Sequence, residues 1–404
     1  MKVEIKKSTP NGTILAPPSK SMAHRMLICA GLSKGRSVIH SIAPSQDILA
    51  TLDCLKALGA SYTYEDNTVI IDRITSLSSA DKTLYCRESG STLRFFLPIC
   101  LASEGKTTLF GSETLLKRPL NVYEDICQNQ SIGFSNDGEK ITVNGKLSGG
   151  EFTVAGNISS QFISGLLFTL PLLNTDSIIK IIPPIESMSY IKMTIDALKT
   201  FGVMVKWLDE NTLSIKGNQA YMPKEVCVEG DYSNAAFFMA MNYLGGSVTI
   251  SGLNESSLQG DKVCKELFES LDKENATIDI SDCPDLGPIL FAFASAKNGG
   301  TFTGTKRLKI KESDRASAMA EELKKFGVMV DVLEDTVIVN PISFHAPDEV
   351  LSGHNDHRIV MSLCVLLTLV GGEIDGAEAV SKSMPDFFEY LEKLNVDLHI
   401  VDRN

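Results

Sequence analysis

The hydrophobic pattern of this chain switches repeatedly from the helical period to the strand period. Three switch points match closely: Leu55–Ala60, Leu198–Val205 and Leu323–Val330. Each reads as the end of a helix, a glycine at the C-cap, and entry into alternating strand. Weaker copies lie at Ile126–Phe134, Leu267–Ile280 and Leu391–Ile400. Turn-linked strand pairs follow, as in Tyr62–Ile71 and in Val330–Val339, where Glu334-Asp335-Thr336 makes the turn.

A second marker keeps the same rhythm: a small-residue turn, then a short strand, near Gly35, Gly105, Asp176, Gly246, Gly300 and Gly372. Neighbouring markers are roughly 70 residues apart, except about 54 between the fourth and fifth, a fixed period that signals repeated supersecondary units. The pattern predicts an α/β chain of six α+β repeats, each strand-helix-strand-helix-strand-strand. In 404 residues that predicts two domains of three units each. Turn residues at Tyr221–Lys224 and at Pro10-Asn11-Gly12 place the crossings. One domain is expected at 13–223, the other at 1–12 with 224–404.

Composition narrows the class. With 43% apolar and 22% charged residues, the chain reads as soluble and globular. The apolar run Ile359–Val370 is too short to span a bilayer and carries Ser362 and Thr368, so it predicts a buried helix. Met1–Lys7 reads as a first strand without a signal-peptide core, so a cytoplasmic protein is expected. Nine scattered cysteines without a C-x-x-C pair argue against a disulfide framework or a thiolate zinc site. A net charge of −12 argues against nucleic-acid and anionic-membrane partners. Acidic substrates remain open, provided the cations converge.

The cations do follow a pattern. Each repeat has two strand-to-helix junctions. In Ala16–Arg25, a Pro17-Pro18 turn opens a helix at Ser19, with Lys20, Ser21 and Arg25 on its first turns. That is either an ordinary Ser-capped helix with solvated basic residues or an anion site. Asp47, Ser159, Asp231 and Asp261 stand at other junctions and read as N-caps. Capping does not explain Lys20, Arg25, Arg118, Lys311, Arg315, Arg358 and Lys382. Cations there oppose the helix dipole, and seven such cases imply a compensating ligand with at least two anionic groups. If the helices of each domain start on one face and the faces oppose, these cations line an interdomain cleft. The serines and Gln161 suit a hydroxylated, phosphorylated molecule.

Glu312 and Asp285 stand among these cations, as an acid/base pair requires, or as parts of an ordinary charged helical turn. His354, Asp356 and His357 lack a third ligand at metal-site spacing. No phosphate loop, dinucleotide glycine motif or nucleophile elbow is present. Trp207 and the other aromatics do not interleave with basic residues as a nucleic-acid stacking platform would.

Together these residues resemble one family, 5-enolpyruvylshikimate-3-phosphate synthase. The matching motifs are Ser19-Lys20-Ser21 to Arg25, Gly90-Ser91-Thr92-Leu93-Arg94, Lys117-Arg118-Pro119-Leu120, Ser159-Ser160-Gln161-Phe162, Glu229-Gly230-Asp231, Lys311-Glu312-Ser313-Asp314-Arg315, Asp356-His357-Arg358 and Lys382-Ser383-Met384-Pro385-Asp386. They run in family order over nearly the whole chain. The resemblance implies two domains of three βαβαββ units, an inside-out α/β barrel closing on a cleft. It implies enolpyruvyl transfer from phosphoenolpyruvate to the 5-hydroxyl of shikimate 3-phosphate by a monomer without metal or cofactor. By position, Lys20, Gly90, Arg118, Arg315, Arg358 and Lys382 would hold phosphoenolpyruvate. Lys20, Ser21, Arg25, Ser159, Ser160, Gln161, Ser187, Asp285 and Lys311 would hold shikimate 3-phosphate, with Tyr190 a weaker candidate. Glu312 would protonate the methylene carbon, Asp285 would accept the hydroxyl proton, and Lys20 or Lys382 would assist phosphate departure.

Two positions depart from the family pattern. Glu88 replaces an Asn found in many members, and Arg307 replaces a common Asn on the substrate side, where it would add a phosphate contact. The rival within the fold is the enolpyruvyl transferase acting on UDP-N-acetylglucosamine, which usually carries a reactive Cys before its Arg; Gly111–Pro119 contains none. A non-catalytic binding protein for a phosphorylated metabolite is the rival outside it, and would need neither Glu312 nor Asp285.

Overall fold

A computed structural model describes residues 1–74 and 81–401. The chain divides into two compact units, one formed by Lys20–Val228 and the other by Met1–Ser19 with Glu229–Asn404. They are called the first and second unit below.

The first unit is built on three four-stranded sheets. In Lys82–Tyr85, Lys106–Phe110, Lys140–Asn144 and Gly133–Asn136, the first two strands pair in parallel and the last two add as an antiparallel hairpin. A parallel pair needs a crossover, supplied here by helix Gly90–Cys100. A second helix, Asn121–Asn129, leads into the hairpin. Glu151–Ala155, Ser177–Ile182, Thr212–Ile215 and Val205–Asp209 repeat the scheme around helices Ser160–Thr169 and Met188–Thr200. The remaining sheet joins Ser37–His40, Thr68–Asp72 and Ser61–Glu65, and its parallel edge strand is Glu225–Cys227 from the far end of the unit.

The second unit holds one complete copy, in which Ala276–Asp279 and Gly300–Thr303 pair in parallel and Thr336–Pro341 with Val328–Val332 forms the hairpin. Another sheet takes in the opening strand Lys2–Ile5 between Gly372–Asp375 and Leu398–Val401. The last is a two-stranded parallel pair, Asn11–Leu15 with Ser247–Ser251.

The six expected repeats are therefore not uniform. Three follow the full strand-helix-strand-helix-strand-strand order. The first and sixth borrow a strand from the opposite end of their unit, and the fourth takes Asn11–Leu15 from the opening segment. The fourth has no hairpin: helix Cys264–Lys273 runs directly to Ala276–Asp279 of the next sheet. That omission accounts for the short fourth interval. The borrowed strands also move the boundaries, expected after residues 12 and 223. Asn11–Leu15 is paired inside the second unit and Glu225–Cys227 inside the first, so the crossings lie at 19/20 and 228/229.

Helix ends follow the local chemistry. Gly59, Gly202 and Gly327 all have positive φ, near +105°, +82° and +77°. After Gly59 and Gly202 the next residue's N–H reaches back into the last turn, Ala60 to the Leu55 carbonyl at 3.0 Å and Val203 to the Leu198 carbonyl at 2.9 Å. In the weaker copies Ser131 and Asn395 take the left-handed position instead.

In the first unit, helices Lys20–Leu32, Gly90–Cys100 and Ser160–Thr169 are buried on nearly all sides. Gly165 makes the approach of the last two possible: a Cβ there would lie 2.4 Å from the Arg94 carbonyl and 2.3 Å from the Tyr123 hydroxyl. Helices Tyr232–Tyr243, Gly287–Ser295 and His357–Val370 form the corresponding interior of the second unit. Among the described residues, no helix is long and apolar enough to cross a membrane.

Candidate active site

In the first unit the expected residues gather at the N-terminal ends of the buried helices. Lys20 opens its helix, and its Nζ donates to Asp47 Oδ2 at 2.8 Å. Asp47 is thus an ion-pair partner and not an N-cap; the cap of helix Gln46–Ala57 is Ser45. One turn along, Arg25 is buried, and its partners are neutral. It donates to Thr194 Oγ1 at 2.9 Å and to the carbonyls of Ser21 at 2.7 Å and Tyr190 at 3.1 Å. Its guanidinium stacks over the rings of Phe95 and Tyr190. Burial lowers the Arg25 pKa to about 10, the direction expected for a cation lifted out of water. Neighbouring His24 is held well below its usual pKa by burial, then by Lys20 and Arg25, so it stays neutral.

Ser159 caps helix Ser160–Thr169 as expected, accepting from the Gln161 N–H. The Gln161 side chain accepts from Arg94 Nη1 at 2.8 Å and donates to Ser91 Oγ at 2.9 Å. Gly90 begins its helix beside them. A Cβ there would stand 2.8 Å from Arg118 Nη1 and 3.8 Å from Gln161 Oε1. Arg94 therefore belongs to this cluster although its sequence position, inside an apolar helix, gave it no role. Ser187 stands at the N-cap position of helix Met188–Thr200 in a left-handed conformation, φ 56°, without a side-chain capping bond.

The second unit gathers Asp285, Lys311, Glu312, Arg315 and Arg358, and couples them tightly. Arg315, only 1% exposed, donates to Asp285 at 2.9 Å, Glu312 at 2.6 Å and Asp356 at 2.8 Å. Asp285 also accepts from Lys311 at 3.2 Å and Arg358 at 3.1 Å. Burial alone would raise the Asp285 pKa, but Arg358, Lys311 and Arg315 overcome it and hold it well below the carboxylate range. Burial lowers the Lys311 pKa, with Asp285 opposing. Asp356 caps helix His357–Val370. Lys382 Nζ donates to the Asn355 carbonyl at 2.7 Å.

Three expectations change here. Arg118, Lys311 and Lys382 stand in turns or 3-10 segments before their helices, not in the first helical turn. Part of the charge compensation is also internal, supplied by Asp47, Asp285, Glu312 and Asp356. Asp261 is no helix cap either: it lies buried in the 3-10 turn Gly260–Val263. Burial and then Asp285 raise its pKa to about 7, against Arg358 and Ser233. His354 pairs with Glu322, Nε2 to Oε1 at 2.9 Å, a pairing with no sequence signal.

These clusters are suited to anions and proton transfer, and comparison with known proteins points the same way. The family model described as EPSP synthase (3-phosphoshikimate 1-carboxyvinyltransferase) matches residues 5–391. A 3-phosphoshikimate 1-carboxyvinyltransferase of Clostridium perfringens strain SM101 is 43% identical over 417 residues, covering 98% of both chains. The enzyme of the same name from Clostridium kluyveri is 39% identical over 421 residues, again covering 98% of each. Among solved structures, EPSP synthase from Acinetobacter baumannii has TM-score 0.77 at 22% identity, covering 99% of this chain and 100% of that one. The enolpyruvyl transferase NikO from Streptomyces tendae has TM-score 0.80 at 13% identity, covering 98% of each. These distant structures speak to the fold alone; the sequence matches choose within it. The chain belongs to the EPSP synthase (3-phosphoshikimate 1-carboxyvinyltransferase) family.

Proposed function

We propose that this protein moves the enolpyruvyl group of phosphoenolpyruvate onto the 5-hydroxyl of shikimate 3-phosphate, releasing phosphate, with the two clusters as its working parts. The reaction belongs to the shikimate route to chorismate and the aromatic amino acids. The carrying observation is Asp285, a buried carboxylate that accepts from Lys311, Arg315 and Arg358 together. Three cations around one carboxylate are poised to be shared with anionic substrates.

Phosphoenolpyruvate is held by Lys20, Arg118, Arg315, Arg358 and Lys382, with Gly90 leaving room. Shikimate 3-phosphate is held by Lys20, Ser21, Arg25, Ser159, Ser160, Gln161, Ser187, Asp285 and Lys311, with Tyr190 and Arg307 as further contacts. When substrate anions engage Arg315, Arg358 and Lys311, Asp285 loses part of the field that keeps its pKa low. It then becomes a competent base for the 5-hydroxyl proton. Glu312, released from Arg315 in the same exchange, carries the proton delivered to the methylene carbon. The resulting oxocarbenium-like carbon is attacked by the hydroxyl oxygen, giving a tetrahedral intermediate. Collapse expels phosphate, with Lys20 or Lys382 supplying its proton. Glu312, now a carboxylate, is the base for the methyl proton. Side chains supply the positioning and charge stabilisation. The protein works as a cytoplasmic monomer.

Glu312→Gln tests the chemistry. General acid–base groups contribute roughly 10²–10⁴-fold, so kcat should fall by that order while both substrates still bind. Undiminished turnover in this variant would remove Glu312 from the mechanism. Unchanged affinity for shikimate 3-phosphate in Arg307→Ala would likewise remove the Arg307 contact.

A further inference from the structure

Glu322 is a fully buried carboxylate that the reaction does not use. It lies on helix Arg315–Lys324, two turns beyond Arg315, and is 0% exposed. An ionised carboxylate is costly to bury unless its oxygens are satisfied. Glu322 accepts from Lys325 Nζ at 2.9 and 3.1 Å, from the Ser352 N–H at 2.9 Å, and from His354 Nε2 at 2.9 Å. Glu321, Glu322 and His354 bring possible metal-ligand atoms within 4.8 Å of one another. The Lys325 ammonium, on both Glu322 oxygens, already stands where a cation would sit.

His354 and its neighbour Asn355 are both left-handed, with φ near 47° and 52°. A non-glycine residue in this conformation is strained and persists only where its surroundings hold it. The loop is held from several sides. The Gly353 N–H donates to the Asp375 carbonyl at 2.8 Å, the Asp356 N–H donates to the Gly353 carbonyl at 2.9 Å, and Lys382 donates to the Asn355 carbonyl. Helix Arg315–Lys324 grips it twice, through Arg315 on Asp356 and through Glu322 on His354.

We propose that His354 is a positioning residue for phosphoenolpyruvate: clamped on Glu322, it fixes the turn whose Asn355 carbonyl anchors Lys382 and which leads into Arg358. This rests on the reading that Lys382 and Arg358 hold that substrate. The clamp is strongest when the imidazole is charged, because a charge-assisted hydrogen bond is roughly twice as strong as a neutral one. The charged groups facing the ring are Glu322 and Glu321, which favour its protonation, and Lys325, which opposes it. On balance the His354 pKa is raised, first by the hydrogen bond to Glu322. The sign follows: the extra hold is complete below the unfolded histidine value, near pH 6.5, and is lost as pH rises through the folded value.

The test is the KM for phosphoenolpyruvate between about pH 6 and about pH 9, the range in which a perturbed histidine titrates. In the wild type, KM should rise about threefold or more across this range, with kcat moving less, as expected if a charge-assisted bond is lost from a positioning group. His354→Asn tolerates the left-handed turn but is too short for Glu322, so it should raise KM at every pH. His354→Gln restores a neutral donor and should give an intermediate KM without the histidine-dependent rise. A His354→Gln profile superimposable on the wild type would overturn the proposal. So would a loss confined to kcat or thermal stability in His354→Asn. Lys382→Ala is the control: if it leaves KM for phosphoenolpyruvate unchanged, the assignment of Lys382 fails, and the His354 proposal fails with it.

Discussion

At the scale of single residues, buried charge decides most of the behaviour. Arg25 is out of water with only neutral partners, an arrangement that favours an incoming anion. Removing a buried, charge-paired partner costs about 2–5 kcal/mol, so Arg25→Ala should weaken shikimate 3-phosphate binding at least about 30-fold by calorimetry, while the phosphoenolpyruvate KM changes much less. Asp261 and Asp285 should influence stability in opposite directions. The Asp285 pKa is depressed, so its contribution is present above about pH 4 and is lost as pH falls through its folded value. Asp261 is raised to about 7, so its cost appears as pH rises from about 4 to about 7 and is complete above that. Asp261→Asn should therefore stabilise the fold more at pH 8 than at pH 5, by about 2–3 kcal/mol for the roughly two pKa units of the shift that fall in that window, read as a larger rise in melting temperature at pH 8. Equal effects at both pH values would show that the carboxyl is not protonated in the fold. The cations were legible in the sequence because charge beside a strand-to-helix turn is a local anomaly. Asp47 and Asp356 were not legible as their partners. Those pairs join residues 27 and 41 positions apart, and Asp47 sits where a helix cap was an adequate local explanation.

At the scale of elements, close approach between helices places the site. Gly165→Ala would drive a Cβ into the Arg94 carbonyl and the Tyr123 hydroxyl. Overpacking of this kind costs typically about 1–3 kcal/mol, and here it should also displace Arg94, which holds Gln161. A lowered melting temperature together with a raised KM is expected; an unchanged melting temperature would mean that the helices separate without cost. Gly90→Ala meets the end of a flexible side chain, Arg118, and not backbone. It should leave stability within about 0.5 kcal/mol and raise the KM for phosphoenolpyruvate several-fold. The repeats were legible through Gly59, Gly202 and Gly327, whose positive φ makes glycine the favoured residue. The irregular copies were harder to read. Ser131 and Asn395 occupy the same conformation without a glycine signature, and a strand borrowed from Lys2–Ile5 or Glu225–Cys227 leaves no mark of its partner in the local pattern.

At the scale of the whole molecule, the chain carries a net charge of −12 yet concentrates arginine and lysine at two clusters, which reconciles an acidic protein with anionic substrates. A ligand at a hundredfold excess over its Kd adds about 2.7 kcal/mol to stability, so saturating shikimate 3-phosphate should raise the melting temperature measurably, and Arg25→Ala should abolish most of that rise. The fold is shared with NikO at 13% identity; the side chains proposed to hold the acceptor include those of Arg25, Gln161 and Lys311. The most direct measurement is phosphate release from phosphoenolpyruvate, with shikimate 3-phosphate and UDP-N-acetylglucosamine offered separately. Release with shikimate 3-phosphate alone, lost in Glu312→Gln and Lys20→Ala, is the predicted result. Release with the nucleotide sugar alone, or with neither from folded protein, would contradict it.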